Sequence, residues 1–387
     1  MTALINAKLI IGNKVIEDQI LLFNNKIIDI DSNININDVD TIDAKGAYVS
    51  PGFIDIHIHG SGGVDVMDAT PLALETLSKT LLQTGTTAFL ATTMTMSQEK
   101  IEAALANIKA SLGRLSGAQI LGAHLEGPFI NASKNGAQDK CYIQSPQSEW
   151  IEPYLDIIRI ITLAPEVAQG MAFIEMMKRR YPELILSIGH SKANYDESIK
   201  AFDAGVSHVT HLFNAMSSYH HRRPGIVGAC FDRDEVTADI IADTIHVHPH
   251  HLHLSHQMKK GHLILITDAM RAGCMKCGRY DLGGRDVTVS EGKAALADGT
   301  LAGSVLRMNE ALRNMVEYTE MTLPEAILSV TQLPAEKLRL KKGKLMLGYD
   351  ADLVIFDKDL NIITTIVEGE VKYQRSIQQC SNYSNES

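Results

Sequence analysis

The feature that most constrains the fold is a series of short apolar runs, each closed by a side chain of a metal-binding or ionisable type. The run over residues 120–125 is closed by Glu126, and a Gly-Pro pair stops it at once. Similar runs are closed by His57 and His59, His190, His211 and Asp268. Because the carboxyl ends of parallel strands meet at one edge of the fold, these residues predict one shared site.

The number and spacing of the apolar runs indicate the fold class. Strand candidates cover residues 53–59, 87–93, 120–126, 158–164, 184–189, 208–213, 236–246 and 263–267, with helix-like segments between most of them. Eight strand–helix steps over roughly 280 residues match an α/β fold, the (β/α)8 TIM-like barrel. An open doubly wound sheet is the alternative, but ligands from both ends of the strand series meet more easily in a closed barrel.

Both ends of the chain have the pattern of β-structure. Residues 1–50 contain short apolar runs separated by Gly-Asn, Asn-Asn and Asp-Ser turn signals, and they are too few to be stable alone. Residues 344–387 contain similar runs followed by a polar tail. We therefore expect both termini to form one small β-sandwich domain, with residues 51–343 as the catalytic barrel between them.

Composition excludes several classes of function. The chain has 387 residues, of which 45% are hydrophobic, and a net charge of −10. That charge and the lack of a basic stripe argue against nucleic acid as a partner, although local cations can still bind a small phosphorylated molecule. The sequence has no signal-peptide pattern and no membrane-spanning run, so no membrane partner is expected. Its five scattered cysteines are typical of a reducing compartment, which predicts a cytoplasmic protein.

The strand-end residues predict a metal centre. Two imidazoles, a carboxylate and an open position suit a catalytic divalent ion, and Glu126, His190 and His211 supply that set. His57 and His59 point to one face because side chains alternate along a strand, so they can hold a second ion with Glu126 as a bridge. Zn, Fe, Mn or Co would be accepted, as one or two ions per subunit.

Several other polar residues have more than one possible role. Asp268 can take a proton from a metal-activated water and return it to a leaving group, or it can be a further ligand or a helix cap. His246 is expected at the end of the seventh strand, facing the barrel mouth. His124 and His208 are expected to be packed inside strands. The basic loop 220–223 is either solvated or an anion site.

Taken in order, these motifs resemble a known family. The motifs are His-Leu-Glu126-Gly-Pro-Phe, Gly-His190-Ser, Thr-His211-Leu-Phe-Asn214-Ala215-Met, Arg222-Arg-Pro-Gly, Asp243-Thr-Ile-His246 and Thr-Asp268-Ala-Met. Over about residues 51–351 the chain resembles the N-acetylglucosamine-6-phosphate deacetylases of the amidohydrolase superfamily. The combination is specific, whereas the His-x-His pair marks only the superfamily.

The resemblance implies deacetylation of an amino-sugar phosphate. It implies that Glu126, His190 and His211 bind the metal and that Asp268 is the acid/base. The implied substrate contacts are Asn214, Ala215, Arg222 and His246, with the segments Ala137-Gln138, Asp243-Thr244-Ile245 and Leu301-Ala302-Gly303. It also implies a homodimer in which Arg222 reaches into the neighbouring subunit's site.

Departures from the family and rival functions leave some alternatives open. Some members lack the His-x-His pair and keep one metal, and some carry a histidine at the position of Gln138. A cyclic-amide hydrolase would usually have a modified lysine at the end of the fourth strand, but residues 162–166 include none. Deacetylation of the galacto epimer is a further alternative. A non-catalytic scaffold is another, although every expected ligand is present.

Overall fold

Eight parallel strands alternate with helices through the middle of the chain in the computed structural model, which describes residues 1–376. The strands are β1 (Thr2–Ile5), β2 (Lys8–Ile11), β3 (Lys14–Ile16), β4 (Ile20–Phe23), β5 (Ile27–Asp31), β6 (Asp40–Asp43), β7 (Tyr48–Pro51), β8 (Phe53–Ile58), β9 (Gly60–Ser61), β10 (Val64–Asp65), β11 (Thr86–Thr93), β12 (Gln119–Glu126), β13 (Ile158–Leu163), β14 (Ile185–Ile188), β15 (His208–Val209), β16 (Thr237–Ile241), β17 (Leu263–Ile266), β18 (Gly278–Leu282), β19 (Arg285–Ser290), β20 (Lys293–Ala295), β21 (Leu353–Phe356), β22 (Ile362–Val367) and β23 (Glu370–Gln374). The helices are α1 (Pro71–Leu81), α2 (Gln98–Ser111), α3 (Gly170–Arg180), α4 (Tyr195–Asp203), α5 (Gly225–Phe231), α6 (Pro249–Met258), α7 (Met308–Tyr318), α8 (Leu323–Val330) and α9 (Gln332–Lys337).

The central strands form the barrel that the sequence predicts. Their order is β8, β11, β12, β13, β14, β15, β16 and β17, and each is parallel to its neighbour. The backbone N–H of Asp268, just beyond β17, donates to the carbonyl of His57 in β8 at 2.9 Å, which joins the two ends of the series. The prediction of a (β/α)8 barrel is confirmed.

Local sequence explains why these segments form strands and helices. Every residue of β8 and β11 is buried, as expected for parallel strands covered on both faces. Helix α1 begins with Pro71 after Thr70, whose hydroxyl accepts a backbone N–H of the first turn. Its residues Leu74, Leu77 and Leu81 recur at helical spacing and are buried in the main core.

Two sheets from the chain termini form a sandwich beside the barrel. One has the order β5, β4, β1, β6, and the other has the order β23, β22, β21, β7, β2, β3. Leu4 and Phe23 of the first sheet share a hydrophobic cluster with Leu353 of the second. The alternate residues Val354 and Phe356 of β21 belong to the barrel's core, so the second sheet packs on both faces.

Two barrel strands are much shorter than the sequence predicts. Strand β16 ends at Ile241 rather than at residue 246, because the Asp243 carboxylate accepts the backbone N–H groups of Ile245 and His246 at 2.8 Å and folds the chain back. Strand β15 ends at Val209. Residues 377–387, which include most of the expected polar tail, lie outside the described part of the chain. Among residues 1–376, none of the helices has the length and apolar character needed to cross a membrane.

Candidate active site

Three of the site residues leave their strands in an unusual backbone conformation. His190, His211 and Asp268 have φ values of 47°, 35° and 47°, in the left-handed region that residues other than glycine rarely occupy. Such positions persist only where the surroundings enforce them, and they are concentrated at functional sites. The turns aim all three side chains into the barrel mouth, where each lines the same cavity.

Glu126, His190 and His211 form a compact group at the floor of this cavity. The Nε2 atoms of both histidines lie 3.1 Å from Oε1 of Glu126 and 3.2 Å from each other. All three residues are buried. Burial would raise the pKa of Glu126, but the charges of His57 and His190 hold it well below its usual value. The carboxylate is therefore ionised and ready to meet a cation.

His57 and His59 form a second group that shares Glu126. Nε2 of His57 lies 3.5 Å from Oε1 of Glu126, and Nε2 of His59 lies 3.4 Å from Oε2. The two Nε2 atoms lie 3.3 Å apart. Each of the two groups has three ligand atoms close enough to hold one metal ion. The placement of both histidines on the barrel's inner face agrees with the alternation expected along β8.

The hydrogen bonds of the imidazoles fit metal binding. Nδ1 of His190 is 2.8 Å from the carbonyl of Lys134, and Nδ1 of His59 is 3.3 Å from the carbonyl of Thr92. Because a carbonyl can only accept, each Nδ1 carries a proton, and in the neutral ring Nε2 then has the lone pair that a metal ion needs. Lone pairs this close together repel unless a cation lies between them, so the donor set suits a divalent ion.

Asp268 lies beside the second histidine pair. Its Oδ1 is 3.2 Å from Nε2 of His59 and 3.4 Å from Nε2 of His57, and the residue is 9% exposed. Burial would raise the pKa of Asp268, but the charges of His57 and His59 lower it to about 2. The carboxylate is therefore ionised, and its Oδ1 lies at the edge of the metal-type ligands.

Two buried acids that the sequence analysis missed form hydrogen bonds to the backbone of His57 and His211. Asp55 accepts the Thr267 hydroxyl at 2.6 Å and the backbone N–H of His57 at 3.2 Å. Asp239 accepts the backbone N–H of His211 and contacts Nε2 of His208 at 3.0 Å. Both sit inside apolar strands without a motif to mark them. The expected packing of His124 is seen, since its ring bonds the Thr162 hydroxyl at 2.7 Å.

The side chain of Gln138 also faces the metal-type ligands. Its Nε2 donates to Oε2 of Glu126 at 2.8 Å, and its Oε1 accepts the backbone N–H of Thr95 at 2.8 Å. The residue is 3% exposed. Gln138 therefore orients Glu126 in addition to lying in the segment implied to contact the substrate.

The cavity above these residues has a volume of about 250 Å³. Of the residues expected to contact substrate, it is lined by Ala137, Gln138, Asn214, Ala215, His246, Leu301 and Gly303. Those that do not line it are Arg222, Asp243, Thr244, Ile245 and Ala302. Lining residues that the sequence analysis missed are Met94, Gly136, Leu282 and Thr300. No motif or charge distinguishes these four from ordinary core and loop residues.

His246 reaches the cavity although its strand ends early. Its Nδ1 is 2.6 Å from Oδ2 of Asp243, in the same turn that folds the chain back after β16. Asp243 thereby fixes the imidazole ring from behind and leaves Nε2 for a ligand. Asp243 thus acts on the site through His246, although it does not line the cavity itself.

Arg222 lies away from the site of its own chain. It lines a separate cavity of about 670 Å³ together with Lys134, Lys192, His220 and Arg223. Among the described residues, the cationic side chains of this cavity have no salt-bridge partner. Within one chain, the basic loop therefore forms its own positively charged surface.

Comparison with known proteins places this site in a family. A family model described as the amidohydrolase family matches residues 48–372. The chain belongs to the amidohydrolase family. Such enzymes are hydrolases, and the paired histidines at the end of β8, with Glu126, His190, His211 and Asp268, lie where the barrel presents its chemistry.

The chain is similar to three proteins named as deacetylases of acetylated amino-sugar phosphates. It is 41% identical over 356 residues to an N-acetylglucosamine-6-phosphate deacetylase of Lysinibacillus sphaericus, covering 90% of this chain and 92% of that one. It is 35% identical over 340 residues to an N-acetylgalactosamine-6-phosphate deacetylase of Escherichia coli O157:H7, covering 86% and 90%. A mutant N-acetyl-D-glucosamine-6-phosphate deacetylase of Mycobacterium smegmatis, solved in complex with N-acetyl-D-glucosamine-6-phosphate, matches with a TM-score of 0.89 and 29% identity, covering 96% and 99%.

Proposed function

We propose that this protein hydrolyses the acetamide of N-acetyl-D-glucosamine 6-phosphate to D-glucosamine 6-phosphate and acetate, in amino-sugar catabolism. The observation that carries the proposal is the convergence of Glu126, His190, His211 and Asp268 at the floor of one cavity. Ligands for a metal and a neighbouring carboxylate are what hydrolysis of an unactivated amide needs. The similarity to deacetylases that act on acetylated amino-sugar phosphates supports the choice of substrate.

The chain's own residues would hold one or two divalent ions. Glu126, His190 and His211 would hold the first, and His57, His59 and Glu126 would hold the second. Zn, Fe, Mn or Co would each suit these ligands. When bound, the metal polarises the acetamide carbonyl and lowers the pKa of water toward neutrality.

Asp268 moves the proton. Its carboxylate takes a proton from the water whose oxygen attacks the acetamide carbonyl carbon. It then gives the proton to the sugar nitrogen as the C–N bond breaks, so that the amine leaves as a neutral group. Support for this role comes from the position of Oδ1, 3.2 Å from His59 Nε2 in a residue only 9% exposed.

The sugar would bind on the side of the cavity formed after strands β15 and β16. Asn214 and Ala215 follow β15, and His246 follows β16 with its ring held by Asp243. The segments 137–138 and 301–303 offer backbone groups to the sugar hydroxyls. Because a hydroxylated ring needs many fixed donors and acceptors, several backbone contacts suit it.

The 6-phosphate would be bound by Arg222 of a second copy in a homodimer. Arg222 does not line the cavity of its own chain, but it lies with unpaired cations on a separate surface. A guanidinium that bonds a phosphate through two parallel N–H groups gives both charge and direction.

The four free cysteines of the described chain suit a reducing compartment, so we assign the reaction to the cytoplasm.

The galacto epimer of the substrate is a second candidate, favoured by the similarity to the N-acetylgalactosamine-6-phosphate deacetylase. The test measures acetate release by the metal-loaded protein from both 6-phosphates and from unphosphorylated N-acetylglucosamine. We expect the gluco 6-phosphate to give the highest kcat/KM and the unphosphorylated sugar the lowest. Protein treated with a chelator and then resupplied with metal is the control. Faster release from the galacto 6-phosphate would support the second candidate, and no release from any sugar would contradict both.

A further inference from the structure

Apart from Leu301, which lies in a segment assigned to the sugar, two large apolar side chains line a cavity whose other side chains are mostly polar. Met94 follows β11 directly and is 3% exposed, and Leu282 ends β18 and is 2% exposed. Neither side chain can bind a phosphate or a metal of the expected type, nor give a sugar hydroxyl a strong hydrogen bond. The part of each side chain that faces the cavity can therefore make favourable contact only with an apolar part of the substrate.

Met94 lies across the cavity from Asn214 and Ala215, which are assigned to the sugar, whereas the segment 137–138 follows β12, the neighbour of β11. Met94 follows the second strand of the barrel, β11, whereas Asn214 and Ala215 follow the sixth strand, β15. In a barrel of eight strands, the second and the sixth face each other across the mouth. The metal-type ligands lie on the floor between these two sides, which is where the scissile bond must be.

We propose that Met94 and Leu282 form an acyl pocket, which holds the methyl group of the acetyl moiety and sets the longest acyl chain that the enzyme accepts. This inference rests on the proposed deacetylation. In a planar trans amide, the group on nitrogen and the group on the carbonyl carbon point in opposite directions. With the sugar on the Asn214 side, the methyl group points toward Met94. That methyl is the one purely hydrocarbon group of the substrate.

The hairpin of β18 and β19 closes this pocket from outside. At its turn, a side-chain carbon added to Gly283 would lie 3.6 Å from Cε of Met94, so the turn packs against the methionine. The guanidinium of Arg285 then donates to the carbonyl of Ala137 at 3.1 Å and ties the hairpin to the opposite loop. An acyl chain longer than acetyl therefore has to displace Met94 or the hairpin.

The test compares kcat/KM for the N-acetyl, N-propanoyl and N-butanoyl derivatives of glucosamine 6-phosphate. Met94→Ala and Leu282→Ala should each raise the propanoyl-to-acetyl ratio by about tenfold or more, since one methylene in an apolar pocket changes selectivity by roughly 10- to 200-fold. Met96→Ala is the matched control. Met96 is the same residue type, is 6% exposed and lies two positions further on, but it does not line the cavity. Its ratio should equal that of the wild type.

The outcomes separate this inference from the function on which it rests. If the wild type releases acetate but neither alanine variant raises the ratio, the acyl pocket is elsewhere and the inference is wrong. The inference is also wrong if Leu301→Ala is the only variant that raises the propanoyl-to-acetyl ratio. If the wild type releases no acetate from the N-acetyl substrate, the proposed function itself fails. Should Met94→Ala not fold, Leu282→Ala carries the test, because its hairpin lies outside the barrel strands.

Discussion

Replacing Asp268 with asparagine should remove most turnover while leaving the fold and the bound metal in place. The amide has nearly the same size as the carboxylate. The backbone bonds at this position, from its N–H to the His57 carbonyl at 2.9 Å and from the Ser304 N–H to its carbonyl at 2.7 Å, do not depend on the side chain. The amide cannot take a proton from water, however, so the attack and the departure of the amine both lose their proton carrier.

The expected loss in kcat is on the order of 10² to 10⁴, the usual contribution of a positioned acid/base group. This range corresponds to about 3 to 5.5 kcal/mol in the activation barrier. The structure supports the upper part of this range. Outside the two groups of metal-type ligands, Asp268 is the acid nearest to His59, and it is only 9% exposed. Bulk water can therefore replace it only poorly.

The assay is acetate release at saturating N-acetylglucosamine 6-phosphate, with metal content measured on the same samples by elemental analysis. Asp281→Asn is the control. Asp281 is an aspartate on the nearby hairpin that pairs with Arg271 at 3.5 Å and does not line the cavity. It should retain activity within about twofold of the wild type. Activity of Asp268→Asn within tenfold of the wild type, at equal metal content, would remove Asp268 from the acid/base role.

Further predictions concern the metal, the phosphate and stability. Glu126→Gln should bind fewer metal equivalents than His57→Asn, and the reverse order would mean that the histidine pair holds the essential ion. Arg222→Ala should raise KM for the 6-phosphate by an amount worth roughly 2–4 kcal/mol and barely change the rate on the plain sugar, and equal losses on both would indicate a structural role. Mixing Arg222→Ala with Asp268→Asn subunits should restore some activity if the arginine crosses the interface. Burial lowers the pKa of Lys337 to about 8, so the unfolded chain binds more protons above that pH. The free energy of unfolding should rise between pH 8 and 10.5, and Lys337→Met should remove that rise; identical slopes in chemical denaturation would contradict the assignment.

The clustering of histidines and carboxylates at the strand ends could be predicted from sequence because two independent signals coincide at these positions. An apolar run marks a buried parallel strand, and a histidine or carboxylate at its end would be costly there without a partner. Glu126 and His190 satisfy both conditions, and they do lie within hydrogen-bonding distance of each other, at 3.1 Å. The chemistry of the residue types then limits what such a cluster can bind.

Other parts of the site carry no such signal. Met94 and Leu282 look like ordinary core residues in the sequence, and only the hairpin that follows β17 brings Leu282 over the mouth. Asp239 lies inside an apolar run, and its hydrogen bonds to His208 and His211 form only when strands β15 and β16 lie side by side. The early end of β16 depends on the Asp243 carboxylate, which competes with the strand for backbone N–H groups. Each of these features depends on tertiary contacts.

The most direct test of the account is a crystal structure of metal-loaded Asp268→Asn with N-acetylglucosamine 6-phosphate bound. The account predicts anomalous scattering from a metal held by Glu126, His190 and His211, with the acetamide carbonyl beside it and within contact distance of the residue at position 268. It also predicts the sugar ring on the side of Asn214 and His246. A substrate whose acetamide lies away from the metal, or a metal bound without Glu126, would contradict it.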